Sequence, residues 1–128
     1  MMSRLPHVLI VDDVADNREV YAEYLRYRGF TVSEAATGID AIKEVRRGDP
    51  DVVLLDMRLP DLDGVEVSRR IRALSASRPV IIGLSAGVSN KEVDVALASG
   101  CALFLTKPCL PETLESEIRR ILDIPASV

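Results

Sequence analysis

Runs of consecutive apolar residues alternate with segments of mixed polarity along most of the chain. Residues 5–11, 52–55, 80–84 and 102–105 are rich in apolar, mostly branched side chains and are bounded by polar or turn-forming residues. Such short, unbroken apolar runs are typical of parallel strands that are buried on both faces. Residues 30–35 instead alternate between apolar and polar side chains, which predicts a half-exposed strand at a sheet edge.

The segments between these strands carry apolar residues at helical spacing, so a helix is predicted after each strand. The first helix has Asp16 and Asn17 as candidate N-caps and ends at about Arg28, before Gly29. The side chains expected to face the core are Val20, Tyr21, Tyr24 and Leu25 in the first helix, Ala41, Ile42 and Val45 in the second, Val65, Val67, Ile71 and Leu74 in the third, Val93, Ala96 and Leu97 in the fourth, and Leu114, Ile118, Ile121 and Leu122 in the fifth.

The last three helices differ in ways that bear on the fold. On the third, the basic residues Arg69, Arg70 and Arg72 are expected to point into solvent. The fourth begins near Ser89 and has a weak apolar face, so it is expected to be the least firmly held. The fifth begins at about Pro111, because proline is favoured at the first position of a helix.

Five strand–helix units in succession predict an α/β fold with a parallel sheet covered by helices on both faces. Short connections and right-handed crossovers favour a doubly wound (βα)5 arrangement with strand order 2-1-3-4-5, as in flavodoxin-like proteins. The chain shows no internal repeat and no interdomain linker. Residues 1–128 are therefore predicted to form a single domain whose core spans about residues 5–122.

The composition is that of an ordinary globular protein and argues against two classes of partner. Apolar residues make up 48% of the 128 residues, charged residues make up 28%, and the net charge is −4. Since there is no basic excess, direct binding of nucleic acid by this domain is not expected. No apolar run approaches the roughly 20 residues of a membrane span, and the N-terminus lacks a signal-peptide pattern. A cytoplasmic protein without membrane contact is the expectation.

The two cysteines and the single histidine do not have the spacing of a metal site. Cys101 and Cys109 are predicted to be reduced structural residues. His7 lies near the start of the first strand, far from that strand's carboxyl end, so no catalytic role is predicted for it.

Polar residues follow directly after four of the predicted strands. Asp12 and Asp13 end the first, Asp56 the third, Ser85 the fourth, and Lys107 comes just after the fifth. In strand order 2-1-3-4-5, strands 1 and 3 are neighbours, so these side chains are expected to converge at the carboxyl edge of the sheet. Taken alone, Asp56 is equally well explained as a residue that caps a loop. The convergence is what favours a functional site.

This set of side chains suits the handling of a phosphoryl group. Clustered carboxylates repel one another, and a divalent cation such as Mg²⁺ relieves the repulsion through oxygen ligands. Lys107 supplies a second positive charge, and the Ser85 hydroxyl supplies a hydrogen bond. Phosphoryl transfer requires mainly positioning and charge neutralisation, and an aspartate nucleophile forms an acyl phosphate.

Four sequence motifs, each at a strand end, carry a resemblance to a known family. They are Val8-Leu9-Ile10-Val11-Asp12-Asp13, the segment 54–64 with the sequence LLDMRLPDLDG, Leu84-Ser85-Ala86, and Leu105-Thr106-Lys107-Pro108. In this order they resemble the response-regulator receiver domain of two-component signalling, which is CheY-like in fold. The resemblance covers almost the whole chain, from about Leu5 to Leu122.

The resemblance implies a phosphoacceptor and a metal site. Asp56 would accept a phosphoryl group from a phosphohistidine. Asp12 and Asp13 would form the acidic pair that binds Mg²⁺, or Mn²⁺ in its place. Asp13 and Asp56 would be direct ligands, and Asp12 would act largely through water. The backbone carbonyl of Arg58 would complete the set.

The resemblance also implies a phosphoryl-binding residue and a switch. Lys107 would bind the phosphoryl group, and the peptide bond that joins it to Pro108 would be cis, as is common in the family. Ser85 and Phe104 would be the switch residues. Phosphorylation would draw Ser85 inward, admit the Phe104 ring to the vacated space and favour an active arrangement of the fourth helix, fifth strand and fifth helix. Without further evidence, Phe104 is also explained as an ordinary core aromatic.

The family resemblance implies partners and limits the chemistry. The phosphoryl donor would be a sensor histidine kinase or a histidine phosphotransfer protein, and the output would be a downstream effector protein or a covalently attached output domain. A homodimer formed on phosphorylation through the last two helices is compatible with this. The domain would not be an enzyme beyond self-catalysed phosphotransfer and autodephosphorylation.

Some positions depart from the family pattern or bear on its chemistry. Cys109 stands where an aromatic residue is usual, and Leu110 where a capping residue is common. Arg58 and Gly87 occupy positions that commonly tune the acyl-phosphate lifetime.

Three alternative functions stay open. They are a pseudo-receiver that acts only as a binding module, a Mg²⁺-dependent phosphohydrolase and a flavodoxin-like cofactor carrier. The hydrolase would need a general acid or base, yet no histidine lies near the strand ends. The carrier would need a phosphate-binding loop where the two aspartates stand.

Overall fold

The computed structural model describes residues 5–75, 78–87 and 89–125. In these ranges the chain alternates strictly between strands and helices. The elements are β1 (His7–Val11), α1 (Ala15–Tyr27), β2 (Thr31–Ala35), α2 (Gly38–Gly48), β3 (Val52–Asp56), α3 (Gly64–Leu74), β4 (Val80–Ser85), α4 (Asn90–Ala98), β5 (Leu103–Thr106) and α5 (Pro111–Ile121).

The five strands form one parallel sheet in the order β2-β1-β3-β4-β5. This confirms the predicted doubly wound topology, with β2 at one edge and β5 at the other. In the central pair, Val8 is opposite Val52 and Val11 is opposite Leu55. The registers bring the carboxyl ends of β1, β3, β4 and β5 to the same edge of the sheet.

Two apolar cores form because alternate residues of a strand point to opposite faces of the sheet. One core joins the sheet to α1 and α5. Its fully buried members include Val8, Leu54, Leu25, Leu114 and Ile118. The other core joins the opposite face to α2, α3 and α4. Its buried members include Leu9, Leu55, Val45, Ile71 and Ala96.

Three apolar side chains that were predicted to face the core are exposed instead. Val20 is 54% exposed because the buried stripe of α1 is centred on Tyr21, Ala22 and Leu25. Leu74 is 43% exposed at the last position of α3, and Leu97 is 41% exposed on α4. Ala96 is the only residue that α4 buries, so this helix rests on a small contact area, in line with its weak apolar pattern.

The structure corrects one predicted helix start and confirms another. Helix α1 begins before Asp16 and Asn17, and its N-cap is Val14, which makes no side-chain capping bond. At α4 the prediction is confirmed. Ser89 is the N-cap, and it forms a capping box with Glu92.

The prediction that Arg72 points into solvent is wrong. Its Nε lies 3.4 Å from the carbonyl oxygen of Gly100, its Nη1 donates to the Ser75 carbonyl at 3.1 Å, and its Nη2 contacts the Pro79 carbonyl. Gly100 has a φ of 124°, and a Cβ at this residue would overlap the Arg72 side chain. Arg72 therefore joins α3 to the turn before β5 and to the start of β4.

A partly buried network of charged side chains joins α1 to α5. The Glu115 carboxylate accepts hydrogen bonds from Tyr24 Oη at 2.7 Å, from Arg28 Nε at 3.0 Å and from Arg119 Nε at 2.9 Å. Burial opposes ionisation of Glu115, but these three donors outweigh it and lower the pKa of the carboxyl group. The Arg119 guanidinium also lies 5.1 Å from the centroid of the Phe30 ring, a cation–π contact.

Candidate functional site

Three aspartates meet at the carboxyl edge of the sheet. Asp12 follows β1, Asp13 comes next, and Asp56 is the last residue of β3. Each offers a carboxylate oxygen that lies within 4.8 Å of the other two. Asp12 and Asp56 are buried, whereas Asp13 is exposed. The convergence expected from the strand order is therefore found for all three.

Lys107 completes this cluster from the loop after β5. Its Nζ donates to Asp12 Oδ2 at 3.0 Å and to Asp56 Oδ2 at 3.2 Å. Burial disfavours the charged form of the ammonium and lowers its pKa, but hydrogen bonds and charge attraction from the two carboxylates outweigh this. The net effect is a raised pKa for Lys107. The Lys107 backbone N–H binds the Ser85 carbonyl at 2.9 Å, and the peptide bond to Pro108 is cis, as expected.

The donor set fits a small divalent cation. Mg²⁺ prefers an octahedron of oxygen ligands at about 2.0–2.1 Å and usually keeps several waters. Three carboxylate oxygens within 4.8 Å of one another can surround one such ion, directly or through its bound waters, and exposed Asp13 leaves one side open to water. No histidine or cysteine takes part, which also favours a hard cation over zinc.

Hydrogen bonds within the loop hold the segment from β3 to α3 in place. Asp56 Oδ1 accepts the Arg58 N–H at 3.0 Å, and the Gly64 N–H binds the Met57 carbonyl at 3.1 Å. A Cβ at Gly64 would lie 2.6 Å from the Met57 Cα, so only glycine allows α3 to begin this close to the phosphoacceptor candidate. Arg58 and Asp63 form an antiparallel bridge that closes the loop.

Asp61 ties the same loop to the start of α2. Its two carboxylate oxygens accept the backbone N–H groups of Gly38 at 2.8 Å and Ile39 at 2.9 Å. These bonds, that of Gly38 foremost, lower the pKa of Asp61. Asp61 thus supplements Thr37, the N-cap of α2, and satisfies two donors that a helix start leaves open.

Ser85 and Phe104 lie beside the cluster around a cavity. Ser85 is buried at the end of β4, and its Oγ is 3.4 Å from Arg58 Nε. Phe104 is half-buried on β5, where its ring packs toward Gly83. Both line a cavity of about 320 Å³ that also reaches Met57 and Val95. The structure therefore provides a space next to Phe104, between α4 and the sheet.

Two contacts at the site were not predicted from the sequence. Arg18 Nη1 donates to the carbonyl oxygen of Asp12 at 2.8 Å. Tyr21 Oη donates to the Cys109 carbonyl at 2.8 Å, which steadies the turn after Lys107, and burial raises the pKa of this phenol. The only sequence signals were a basic residue in the first turn of α1 and a tyrosine on the inner face of that helix.

The remaining candidates lie apart from the aspartates. His7 Nε2 is 2.7 Å from Ser33 Oγ at the start of β1, at the opposite end of that strand from Asp12. Cys101 is buried and Cys109 half-buried, both are free thiols, and burial raises the pKa of each. Within residues 5–75, 78–87 and 89–125, no helix has the length and apolar character needed to cross a membrane.

Comparison with known proteins agrees with this geometry. The family model for the response regulator receiver domain matches residues 8–119. The chain is 36% identical over 115 residues to the response regulator MprA of Mycobacterium leprae, and the match covers 90% of this chain and 50% of MprA. It is 36% identical over 118 residues to the transcriptional regulatory protein AfsQ1 of Streptomyces coelicolor, with 92% of this chain and 52% of AfsQ1 covered.

A solved structure supports the same assignment. The Vibrio cholerae chemotaxis protein CheY4 superposes with a TM-score of 0.86 at 29% identity, and the match covers 91% of this chain and 98% of CheY4. By contrast, the chain spans about half the length of the curated relatives that it matches. Receiver domains bind Mg²⁺ at an acidic pocket, and the three aspartates form such a pocket here. The chain belongs to the receiver-domain family of two-component response regulators.

Proposed function

We propose that this chain is a phosphorylation-activated switch whose phosphoacceptor is Asp56. The observation that carries the proposal is the position of the Asp56 carboxylate. It lies buried at the end of a central strand, 3.2 Å from Lys107 Nζ and close to two further carboxylates. The phosphoryl donor is a phosphohistidine on a sensor histidine kinase or a histidine phosphotransfer protein.

The proposed transfer is a single displacement at phosphorus. An oxygen of Asp56 forms a bond to phosphorus, the bond from phosphorus to the donor imidazole breaks, and its electron pair stays on that nitrogen. Lys107 is already directed at the reacting carboxylate, so its charge can meet the negative charge that develops on the phosphoryl oxygens. Because the domain catalyses only its own phosphorylation and dephosphorylation, it is not an enzyme that acts on a separate substrate.

Asp13, Asp56 and the backbone carbonyl of Arg58 are the proposed direct ligands of Mg²⁺, or of Mn²⁺. The bound cation supplies charge neutralisation for the transfer. Asp12 is proposed to act through water, as the resemblance to receiver domains implies, and both of its oxygens accept hydrogen bonds. Oδ1 accepts the Val14 N–H at 2.9 Å, and Oδ2 accepts Lys107 Nζ at 3.0 Å.

Ser85 and Phe104 are the proposed switch residues. When a phosphoryl group is present, the Ser85 hydroxyl leaves Arg58 and binds a phosphoryl oxygen. The Phe104 ring then moves inward, and the cavity of about 320 Å³ beside it provides room for this. Since α4 buries a single residue, it yields readily, and the surface of α4, β5 and α5 changes shape.

The output is proposed to be a partner protein or an attached domain that responds to this surface. The proposed receiver core spans about residues 5–122, and the matched relatives are about twice as long. One of them is named a transcriptional regulatory protein, so an attached output domain that controls transcription suits this chain. A homodimer through the last two helices and a cytoplasmic location complete the proposal.

Titration with beryllofluoride, a mimic of the phosphoryl group, tests this function directly. In the presence of Mg²⁺, backbone amide signals of Asp56, Ser85 and Phe104 are expected to shift, and the shifts are expected to vanish when a chelator is added. Asp56→Ala, which lacks the carboxylate, is the control and is expected to show no shift. Mg²⁺ binding without any beryllofluoride response in the parent chain contradicts the proposal and favours a pseudo-receiver.

A further inference from the structure

Arg18 contacts the peptide group that joins two aspartates of the site. Its Nη1 donates a hydrogen bond of 2.8 Å to the carbonyl oxygen of Asp12. That oxygen and the backbone nitrogen of Asp13 belong to the same peptide unit, which is planar. The contact therefore fixes the orientation of the peptide plane that joins Asp12 to Asp13.

Arg18 is itself held from the other side by the edge strand. Its Nε donates to Glu34 Oε1 on β2 at 3.1 Å, and its side chain is only 18% exposed. Glu34 also accepts a bond of 3.2 Å from Arg26 Nη2, and the same nitrogen lies 3.1 Å from the Val32 carbonyl oxygen. A chain of contacts thus runs from β2 to the aspartates, and Glu34 balances the charge of Arg18.

The other contacts of Asp12 constrain Asp13 less directly. The Asp12 N–H binds the Ala35 carbonyl at 3.1 Å, and the two side-chain oxygens accept Val14 N–H and Lys107 Nζ. The contact with Lys107 competes with any cation that approaches the carboxylates. The contact with Arg18 is made to the backbone instead, so it persists when a cation binds.

We propose that Arg18 is a positioning residue for the metal site. By fixing the peptide between Asp12 and Asp13, it holds the exposed Asp13 carboxylate where it can share a divalent cation with Asp56. The inference rests on the proposed function, because it assumes that these two carboxylates bind Mg²⁺. It adds a residue that touches neither the cation nor the phosphoryl group.

The test is a Mg²⁺ titration of Arg18→Met, followed by the backbone amide signals and without any phosphodonor. Loss of a residue that orients a metal ligand costs about 10–100-fold in affinity, so the Mg²⁺ dissociation constant is expected to rise about tenfold. The side chain in Arg18→Lys can reach only one of the two partners at a time. Its Mg²⁺ dissociation constant is therefore expected to lie between those of the parent and of Arg18→Met. Phosphorylation by acetyl phosphate is expected to need more Mg²⁺ but to reach the parent's rate at saturation.

Arg26→Met is the matched control, because it removes the other partner of Glu34 and leaves the bond from Arg18 to Asp12 in place. Its Mg²⁺ affinity is expected to equal that of the parent. If folded Arg18→Met binds Mg²⁺ as tightly as the parent, the role of Arg18 is refuted, whereas the proposed function stands. If the parent itself binds no Mg²⁺, the proposed function fails. Should Arg18→Met not fold, Arg18→Lys decides the question in the same way.

Discussion

Lys107→Met is expected to slow phosphorylation of Asp56 by about 100-fold, the effect of removing one charge-stabilising donor from a reaction centre. Its Nζ is bonded to Asp56 Oδ2 at 3.2 Å and to Asp12 Oδ2 at 3.0 Å, and among the described residues no other basic side chain forms an ion pair with either carboxylate. Whereas the rate falls, the affinity for Mg²⁺ is expected to increase, because the ammonium no longer competes with the cation for these carboxylates. Time-resolved intact mass and Mg²⁺ titration measure the two effects.

The opposite signs distinguish this account from a simple loss of structure. Lys91→Met makes the same chemical change at an exposed lysine on α4 and is expected to leave both quantities at the parent values. A fall in Mg²⁺ affinity together with the rate in Lys107→Met would show that Lys107 organises the carboxylates rather than the phosphoryl group. An unchanged rate would remove Lys107 from the mechanism.

Glu115→Ala is expected to lower the free energy of unfolding by about 2 kcal/mol, the scale of breaking a buried hydrogen bond to a charged group. The substitution leaves the half-buried Arg28 and the buried Arg119 without their shared carboxylate, and it deprives Tyr24 of its acceptor. Because Tyr24 lies on α1, Arg28 caps the end of α1 and Arg119 lies on α5, the loss weakens the contact between the two helices. Urea unfolding, followed by circular dichroism, measures the change.

Glu117→Ala is the matched control on the same helix. Glu117 pairs with Arg120, whose side chain is 62% exposed, so its loss is expected to cost less than about 0.5 kcal/mol. The effect of Glu115 also has a defined pH dependence. Because the folded protein lowers the pKa of Glu115, its contribution is present above the ordinary glutamate pKa of about 4.3 and is lost as the pH falls through the folded value. Equal stabilities of the two variants at neutral pH would contradict the role assigned to the network.

Most of the fold could be predicted because the buried strands leave a simple pattern. Val52 to Leu55 are fully buried, and their unbroken apolar run indicated a central parallel strand. The errors lie where the pattern is weak. A helix has an apolar stripe of finite width, and sequence spacing alone did not show that Val20 and Leu97 fall outside it. Arg72 looked like a surface residue because its carbonyl partners Pro79 and Gly100 lie outside α3, in the segments that lead into β4 and β5.

The convergence of side chains at the site was predictable, but their supports were not. Asp12, Asp56 and Lys107 lie at the carboxyl ends of strands, so the strand order alone brings them together. Arg18 acts through a backbone carbonyl, and such a contact leaves no motif in a sequence. Asp61 lies in the segment 54–64 that resembles the family, yet its bonds to the start of α2 depend on how two loops approach each other. These supports became visible only in the assembled structure.

Intact mass after incubation with Mg²⁺ and acetyl phosphate tests the central claim most directly. The parent chain is expected to gain one labile phosphoryl group, and the gain is expected to disappear when a chelator is added. Asp56→Asn keeps the size of the side chain but lacks a nucleophilic carboxylate, so it is expected to gain nothing. A phosphoryl group that persists in Asp56→Asn, or a parent chain that neither gains mass nor responds to beryllofluoride, would contradict the assignment of Asp56 as the phosphoacceptor.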